Sequence, residues 1–282
     1  EPRPRFSPLV PIQPRGTERP LYLVHPVGGN VLCYAELARG LGENQPVYGL
    51  QSLGLAGGAP QETVETMAAS YVAAVKAAQP EGPYRLGGWS IGGVIAYEMA
   101  QQLRASGDEV ALLALLDSLA PARSRMPEET EIEEIDESLL LAGLARDLGG
   151  LSGRPVALDP AELSGLDPEA GLARVVERVR AAGALPAGLG EEQIGRLWRV
   201  FRANVRAVRA YAPAPYAGEA VLFVTAENPE RGRLGRALGW ERLMDGRLAI
   251  RQLPGDHYSL LRGPGVEELA STLTQPLWAS EA

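Results

Sequence analysis

The sequence predicts an α/β fold, with a mostly parallel central sheet flanked by helices and interrupted by an all-helical lid insertion. Three observations carry that expectation. Short apolar runs alternate with helical segments through most of the 282 residues, the pattern of strands joined by crossover helices. The runs are apolar along their whole length, as strands buried on both faces are. The alternation stops at residues 121–215, a stretch of 95 residues that carries helix signals and no convincing strand.

Residues 1–19, EPRPRFSPLVPIQPRGTER, are proline-rich and polar and read as a linker cut from something longer. The globular unit then runs over residues 20–282. Its predicted strands are Leu21 to His25, Pro46 to Leu50, Tyr84 to Gly88, Glu109 to Leu116, Ala220 to Thr225 and Leu248 to Leu253. Helices are predicted at Asn30 to Leu41, Val64 to Ala78, Ile91 to Ala105, Gly232 to Leu243 and Gly265 to Thr274. Inside the insertion, Asp159-Pro160 and Asp167-Pro168 each place an N-cap aspartate before a proline at the first helical position. Leu172, Val175, Val176 and Val179 then recur at helical spacing. A longer helix from Glu191 to Tyr211 gathers Ile194, Leu197, Trp198, Phe201, Val205 and Val208 on one side. Its arginines 199, 202, 206 and 209 line another face, and Glu128 to Glu137 packs seven acids into ten positions. Both charge patterns read as solvated helix faces.

Composition narrows the function classes. A hydrophobic content of 45% without a break along the chain fits one domain plus an insertion. The net charge of −8 argues against nucleic acid as a partner. No apolar run approaches the roughly 18 residues that would cross a membrane, and no signal-peptide pattern opens the chain. A cytoplasmic location is the expectation. Cys33 is the single cysteine, and His25 and His257 are the two histidines, so neither an internal disulfide nor a Cys/His-rich metal centre is expected.

The most informative local feature is Gly88-Trp89-Ser90-Ile91-Gly92. With 33 glycines in 282 residues, G-x-S-x-G arises by chance about 0.2 times in such a chain, so the string alone is weak. Its flanks make it specific. The strand-like Tyr84 to Gly88 precedes it, and the helical stretch Ile91 to Arg104 follows with Val94, Ile95, Tyr97, Met99 and Leu103. Strand, serine, helix is a nucleophile elbow, in which small residues two positions either side of the serine leave room for the tight turn. The helix after Ser90 aims unpaired N–H groups and the positive end of its dipole at the reacting atom.

A serine hydroxyl needs a base within reach and a third group to orient that base. His257 lies in a turn just past the last predicted strand, where the base of an α/β-hydrolase comes from. His25 ends the first strand and reads as structural. Asp117 directly follows the strand ending at Leu116, 27 residues past Ser90, and is the candidate acid. Glu227, after the next strand, also satisfies the order serine, acid, histidine. Asp256, adjacent to His257, reads as a cap of the following turn. His25-Pro26-Val27-Gly28-Gly29-Asn30 lets the backbone turn so that the Val27 N–H faces the nucleophile, with the Ile91 N–H as second donor of an oxyanion hole. No G-x-G-x-x-G or phosphate-loop lysine accompanies these glycines, which counts against nucleotide binding.

Pro8-Leu9-Val10-Pro11-Ile12-Gln13-Pro14, Leu21 to Gly29, Gly88-Trp89-Ser90-Ile91-Gly92-Gly93, Leu115-Leu116-Asp117-Ser118 and Gly255-Asp256-His257-Tyr258 together resemble the type I thioesterase domain that terminates nonribosomal peptide synthetases. The resemblance runs through nearly the whole chain, and tryptophan before the serine is the form typical of peptide release domains. It implies that Ser90 takes the acyl chain from the phosphopantetheine thioester of an upstream carrier protein in the same polypeptide. It further implies that His257 is general base and acid, that Asp117 orients it, that Val27 and Ile91 form the oxyanion hole, and that residues 121–215 are a mobile lid. No cofactor is implied for the domain itself. Release to water gives a linear acid, and attack by an amine or hydroxyl of the chain gives a ring or an oligomer. Two rival readings are a stand-alone editing thioesterase or esterase acting on small acyl groups, and a catalytically dead hydrolase fold used for docking.

Overall fold

A computed structural model of the chain describes residues 7–125, 135–185 and 188–274. Six of the predicted strands are present, as β2 (Leu21–Val24), β3 (Val47–Leu50), β4 (Tyr84–Trp89), β5 (Val110–Leu116), β6 (Ala220–Thr225) and β7 (Leu248–Leu253). A further strand, β1 (Leu9–Gln13), lies within the stretch that reads as linker. The sheet order is β1-β3-β2-β4-β5-β6-β7, parallel throughout except that β1 runs antiparallel to β3. Prolines hide β1 from sequence reading. An edge strand tolerates them because one side of its backbone has no ladder partner, and the register shifts between Pro11 and Gln13.

Side-chain alternation along the strands divides the core into two layers. Tyr22, Val24, Leu86, Leu113, Leu115, Leu222 and Val224 face one buried cluster, while Leu21, Leu23, Trp89, Leu112, Ala114, Leu116, Val221 and Phe223 face the other. Both faces are covered, which is why the runs are apolar throughout. On the first face pack α2 (Val64–Ala78), with Met67, Tyr71 and Val75 inward, and α3 (Ile91–Ala105), with Ile95, Met99 and Leu103 inward. On the second pack the short α1 (Ala35–Gly40) and α8 (Gly263–Thr274). Residues 30–41 hold a 3-10 turn at Leu32–Tyr34 before α1, so that predicted helix is shorter than its pattern.

Between β5 and β6 lie α4 (Glu137–Ser152), α5 (Pro168–Ala181) and α6 (Glu191–Ala210), with no strand among the described residues of 121–215. The two predicted aspartates cap as their spacing implies: Asp159 accepts from the Ala161 N–H, and Asp167 from the N–H groups of Glu169 and Ala170. Asp136, which the sequence reading did not single out, opens α4 by accepting from the Ser138 N–H. These helices enclose a third buried cluster of their own, including Leu141, Leu144, Val175, Val179, Trp198 and Phe201. Trp198 and Phe201 stack within it, with ring centroids 6.4 Å apart. Of the arginine stripe, Arg202 pairs with Glu137 at 3.0 Å and lies over the Trp198 ring, while Arg199, Arg206 and Arg209 are exposed. Most of the acidic run at 128–137 falls outside the described residues.

One predicted helix is corrected. Residues 232–243 hold only the end of a four-residue α7 (Arg231–Leu234) and a 3-10 turn at Trp240–Arg242. The cause is tertiary. Leu238 and Trp240 are fully buried, and the Trp240 indole N–H donates to the Ser118 carbonyl at 2.8 Å. Bending the chain inward to reach those partners puts Gly235, Leu238 and Gly239 at positive φ, which an α-helix does not allow.

Candidate active site

Ser90 sits at the junction of β4 and α3 with φ 60 and ψ −128, a conformation that L side chains rarely adopt. The glycines around it explain how the turn fits. A Cβ on Gly88 would lie 2.2 Å from the Gly92 carbonyl, and one on Gly92 would lie 2.4 Å from the Val24 carbonyl at the end of β2. The Tyr34 hydroxyl ties these two strand ends together, accepting from the Trp89 N–H at 2.9 Å and donating to the Val24 carbonyl.

Asp117 and His257 come from the C-terminal ends of β5 and β7 and meet at 2.8 Å, Oδ2 to Nδ1. Asp117 is 1% exposed. Its second oxygen, Oδ1, accepts three hydrogen bonds, from the Thr225 N–H at 2.9 Å, the Thr225 hydroxyl at 3.0 Å and Asn228 Nδ2 at 2.9 Å. Burial alone would raise its carboxyl pKa, but the His257 ring and these donors together hold it below the usual value. A carboxylate only accepts, so the shared proton lies on Nδ1, and in the neutral ring Nε2 is left as the acceptor. The imidazole lies against the Trp89 ring, with centroids 4.8 Å apart, and edge-on to Tyr258 at 5.3 Å.

The alternatives fall elsewhere. Glu227 is exposed, and its N–H bonds the Gly255 carbonyl. Asp256 caps its own turn, accepting from the N–H groups of Tyr258 and Ser259. His25 is fully buried, bonded through Nδ1 to the Pro26 carbonyl and through Nε2 to the Tyr71 hydroxyl, both at 2.8 Å. Burial pushes its imidazole down to about 4, so it stays neutral at physiological pH.

Val27 lies on the turn after β2, and Ile91 opens α3 directly after Ser90. Sequence reading missed what holds the first of these loops. Asn204, on α6 and 1% exposed, donates from Nδ2 to the Val27 carbonyl at 2.9 Å. Its signal was present as a polar residue three positions after Phe201, on the apolar side of the helix. Gly29 lies close under Val200 of the same helix. The C-terminal end of α4 closes the opposite side. Gly150 packs against the Tyr258 ring, and Arg262 donates to the carbonyls of Gly150 and Leu151. The helical insertion therefore rests on the two loops that carry Val27 and His257.

Between the insertion and the sheet is a cavity of about 560 Å³, walled by Gly28, Trp89 and Tyr258 on one side and by Leu144, Asp147 and Leu197 on the other. Neither Ser90 nor His257 lines it, but their chain neighbours Trp89 and Tyr258 do. Among the described residues no group of three or more His, Cys, Asp or Glu side chains is placed to hold a metal ion, and no helix is long and apolar enough to cross a membrane.

Comparison with known proteins places this arrangement in context. The family model described as Thioesterase domain matches residues 19–277. The chain is 32% identical over 272 residues to a dimodular nonribosomal peptide synthase of Bacillus subtilis, covering 95% of this chain but 11% of that protein. It is similar in structure to a four-domain nonribosomal peptide synthetase bound to AMP and glycine, at TM-score 0.84 and 32% identity, over 97% of this chain and 20% of the other. It also resembles the NocB thioesterase domain in covalent complex with a fluorophosphonate nocardicin G analog, at TM-score 0.68 and 28% identity, over 94% and 97% of the two chains.

Proposed function

The chain belongs to the thioesterase domain family, and from that premise we propose that it is the chain-releasing domain of a nonribosomal peptide synthetase, acting through a peptidyl ester on Ser90. Ser90 Oγ attacks the thioester carbonyl of a carrier-bound chain while His257 Nε2 takes its proton. The tetrahedral oxyanion is held by the N–H groups of Val27 and Ile91. Collapse breaks the C–S bond, and His257 returns the proton to the departing phosphopantetheine thiol. In the second half His257 deprotonates water, or an amine or hydroxyl of the peptidyl chain, and the new bond forms as Ser90 Oγ leaves and recovers its proton. Water yields a free acid, and an internal nucleophile yields a ring.

The observation that carries this reading is the 2.8 Å bond between Asp117 and His257, past the C-terminal ends of the strands, where the strained Ser90 turn also lies. It supports a histidine held in the tautomer that accepts from a hydroxyl. The upstream carrier partner is supported by the kinship with peptide synthetases, of whose length the chain spans a small part.

The test is intact-protein mass spectrometry after mixing the protein with peptidyl and short-acyl thioesters. The expected result is an acyl adduct on the native protein, formed preferentially from peptidyl thioesters, and none on Ser90→Ala. An adduct of equal yield on Ser90→Ala would overturn the assignment. Preference for short acyl groups would move the reading to an editing thioesterase.

A further inference from the structure

Asp147 is a buried carboxylate that the mechanism does not use. It projects from α4, is 7% exposed, and lines the cavity between the insertion and the sheet. No described residue donates a hydrogen bond to its carboxylate or forms an ion pair with it. The cationic groups nearby are otherwise disposed. Arg262 is bonded to the carbonyls of Gly150 and Leu151, Arg146 is exposed on the preceding position of the helix, and the exposed Arg39 lines the cavity together with Glu36 on α1. Burial pushes the Asp147 carboxyl up to about 6, against smaller opposing effects of His257 and Arg146. The rest of the α4 wall is mostly apolar, with Leu144, Leu148 and Leu151, and ends at Ser152. On the facing wall Trp89 has an indole Nε1–H that is buried and has no acceptor.

A buried carboxylate without a donor is strongly disfavoured unless a partner arrives with a ligand. The cavity adjoins the nucleophile through Trp89 and the base through Tyr258, so it has room for the part of an acyl chain that extends beyond the ester. We infer that Asp147 recognises an ammonium group on the peptidyl chain, making a chain with a basic side chain or free amine the preferred substrate class. The inference rests on the release reading above. The apolar wall accommodates the methylene stem of such a side chain, while the carboxylate receives its charged end. The unpaired Trp89 N–H is suited to a carbonyl of the same chain.

The test uses the whole domain and a set of peptidyl thioesters that differ at one residue, carrying lysine, norleucine or glutamate at each of the first three positions from the thioester. The native protein should favour lysine over norleucine by at least tenfold in kcat/KM at one position. Asp147→Asn should reduce that ratio at least tenfold, and Asp147→Glu should retain part of it. Three outcomes overturn the inference: no preference for lysine at any position, a preference unchanged in Asp147→Asn, or an equal loss on all three chains. The last would assign Asp147 to the shared pantetheine end or to lid structure. Failure of every chain to acylate Ser90 would count instead against the release reading, so the two failures are told apart. A thermal melt of each variant separates misfolding from loss of selectivity, and Asp147→Glu serves as the second variant if Asp147→Asn does not fold.

Discussion

At the scale of single residues, two aspartates show how the same side chain is given opposite properties. Asp117 is buried among four donors, counting the His257 ring, and is held ionised. Asp147 is buried with none, and burial drives its pKa upward to about 6. Asp117→Asn removes the acceptor that fixes the His257 tautomer, so kcat should fall by on the order of 10⁴. Glu227→Gln, at an exposed position, should leave kcat nearly unchanged, and steady-state kinetics of the pair checks the ranking. For Asp147 the sign of the pH effect follows from linkage. Its folded pKa of about 6 exceeds the ordinary 3.8, so between the two values the folded state binds more protons than the unfolded state. Its contribution to stability therefore falls as pH rises through that window. Asp147→Asn should be more stable than the native protein by on the order of 2–3 kcal/mol above the window. That gain should vanish below it, as urea melts on either side would measure.

At the scale of elements, α6 does more than cover the sheet. Through Asn204 it holds the carbonyl of Val27, and through Val200 it packs on Gly29. The position of the Val27 N–H is therefore set in part by the insertion. Asn204→Leu keeps roughly the volume but leaves the carbonyl of the half-buried Val27 without its donor, a loss of about 1 kcal/mol. To the extent that the loop must be ordered only in the transition state, kcat should fall by about tenfold with a smaller change in KM. Amide hydrogen exchange should quicken over residues 26–30. Exchange and kcat both at native levels would remove the coupling between α6 and this loop.

For the molecule as a whole, the third buried cluster within the insertion is separate from the two that flank the sheet. An insertion with its own small core can loosen without unfolding the sheet. Trp198→Ala, which opens a cavity in that core, should destabilise it by about 3–5 kcal/mol. Limited proteolysis of the variant should cut first within residues 137–210, while far-ultraviolet circular dichroism of the remainder persists. Cleavage spread evenly over the chain would mean that insertion and sheet unfold as one.

Local physics was enough for the sequence to determine the sheet strands β2 to β7, α2 and α3 to the residue, and the capped helices of the insertion. Apolar runs, helical periodicity and Asp-Pro caps act within a few positions of the chain. The same holds for Ser90, whose turn requires the glycines beside it. The sequence left Asp117 and Glu227 both open as partners of His257, and the choice of Asp117 was decided by the fold. Only the tertiary structure decided that the proline-containing stretch at 8–14 holds an edge strand, because the partner β3 is distant in sequence. Only it ended the helix predicted at 232–243, because Trp240 reaches across to Ser118. The contacts of Asn204 and Tyr34 and the burial of Asp147 were out of reach for the same reason. Each depends on which group stands opposite once the insertion has closed over the sheet, and a one-dimensional pattern does not encode contacts across that gap.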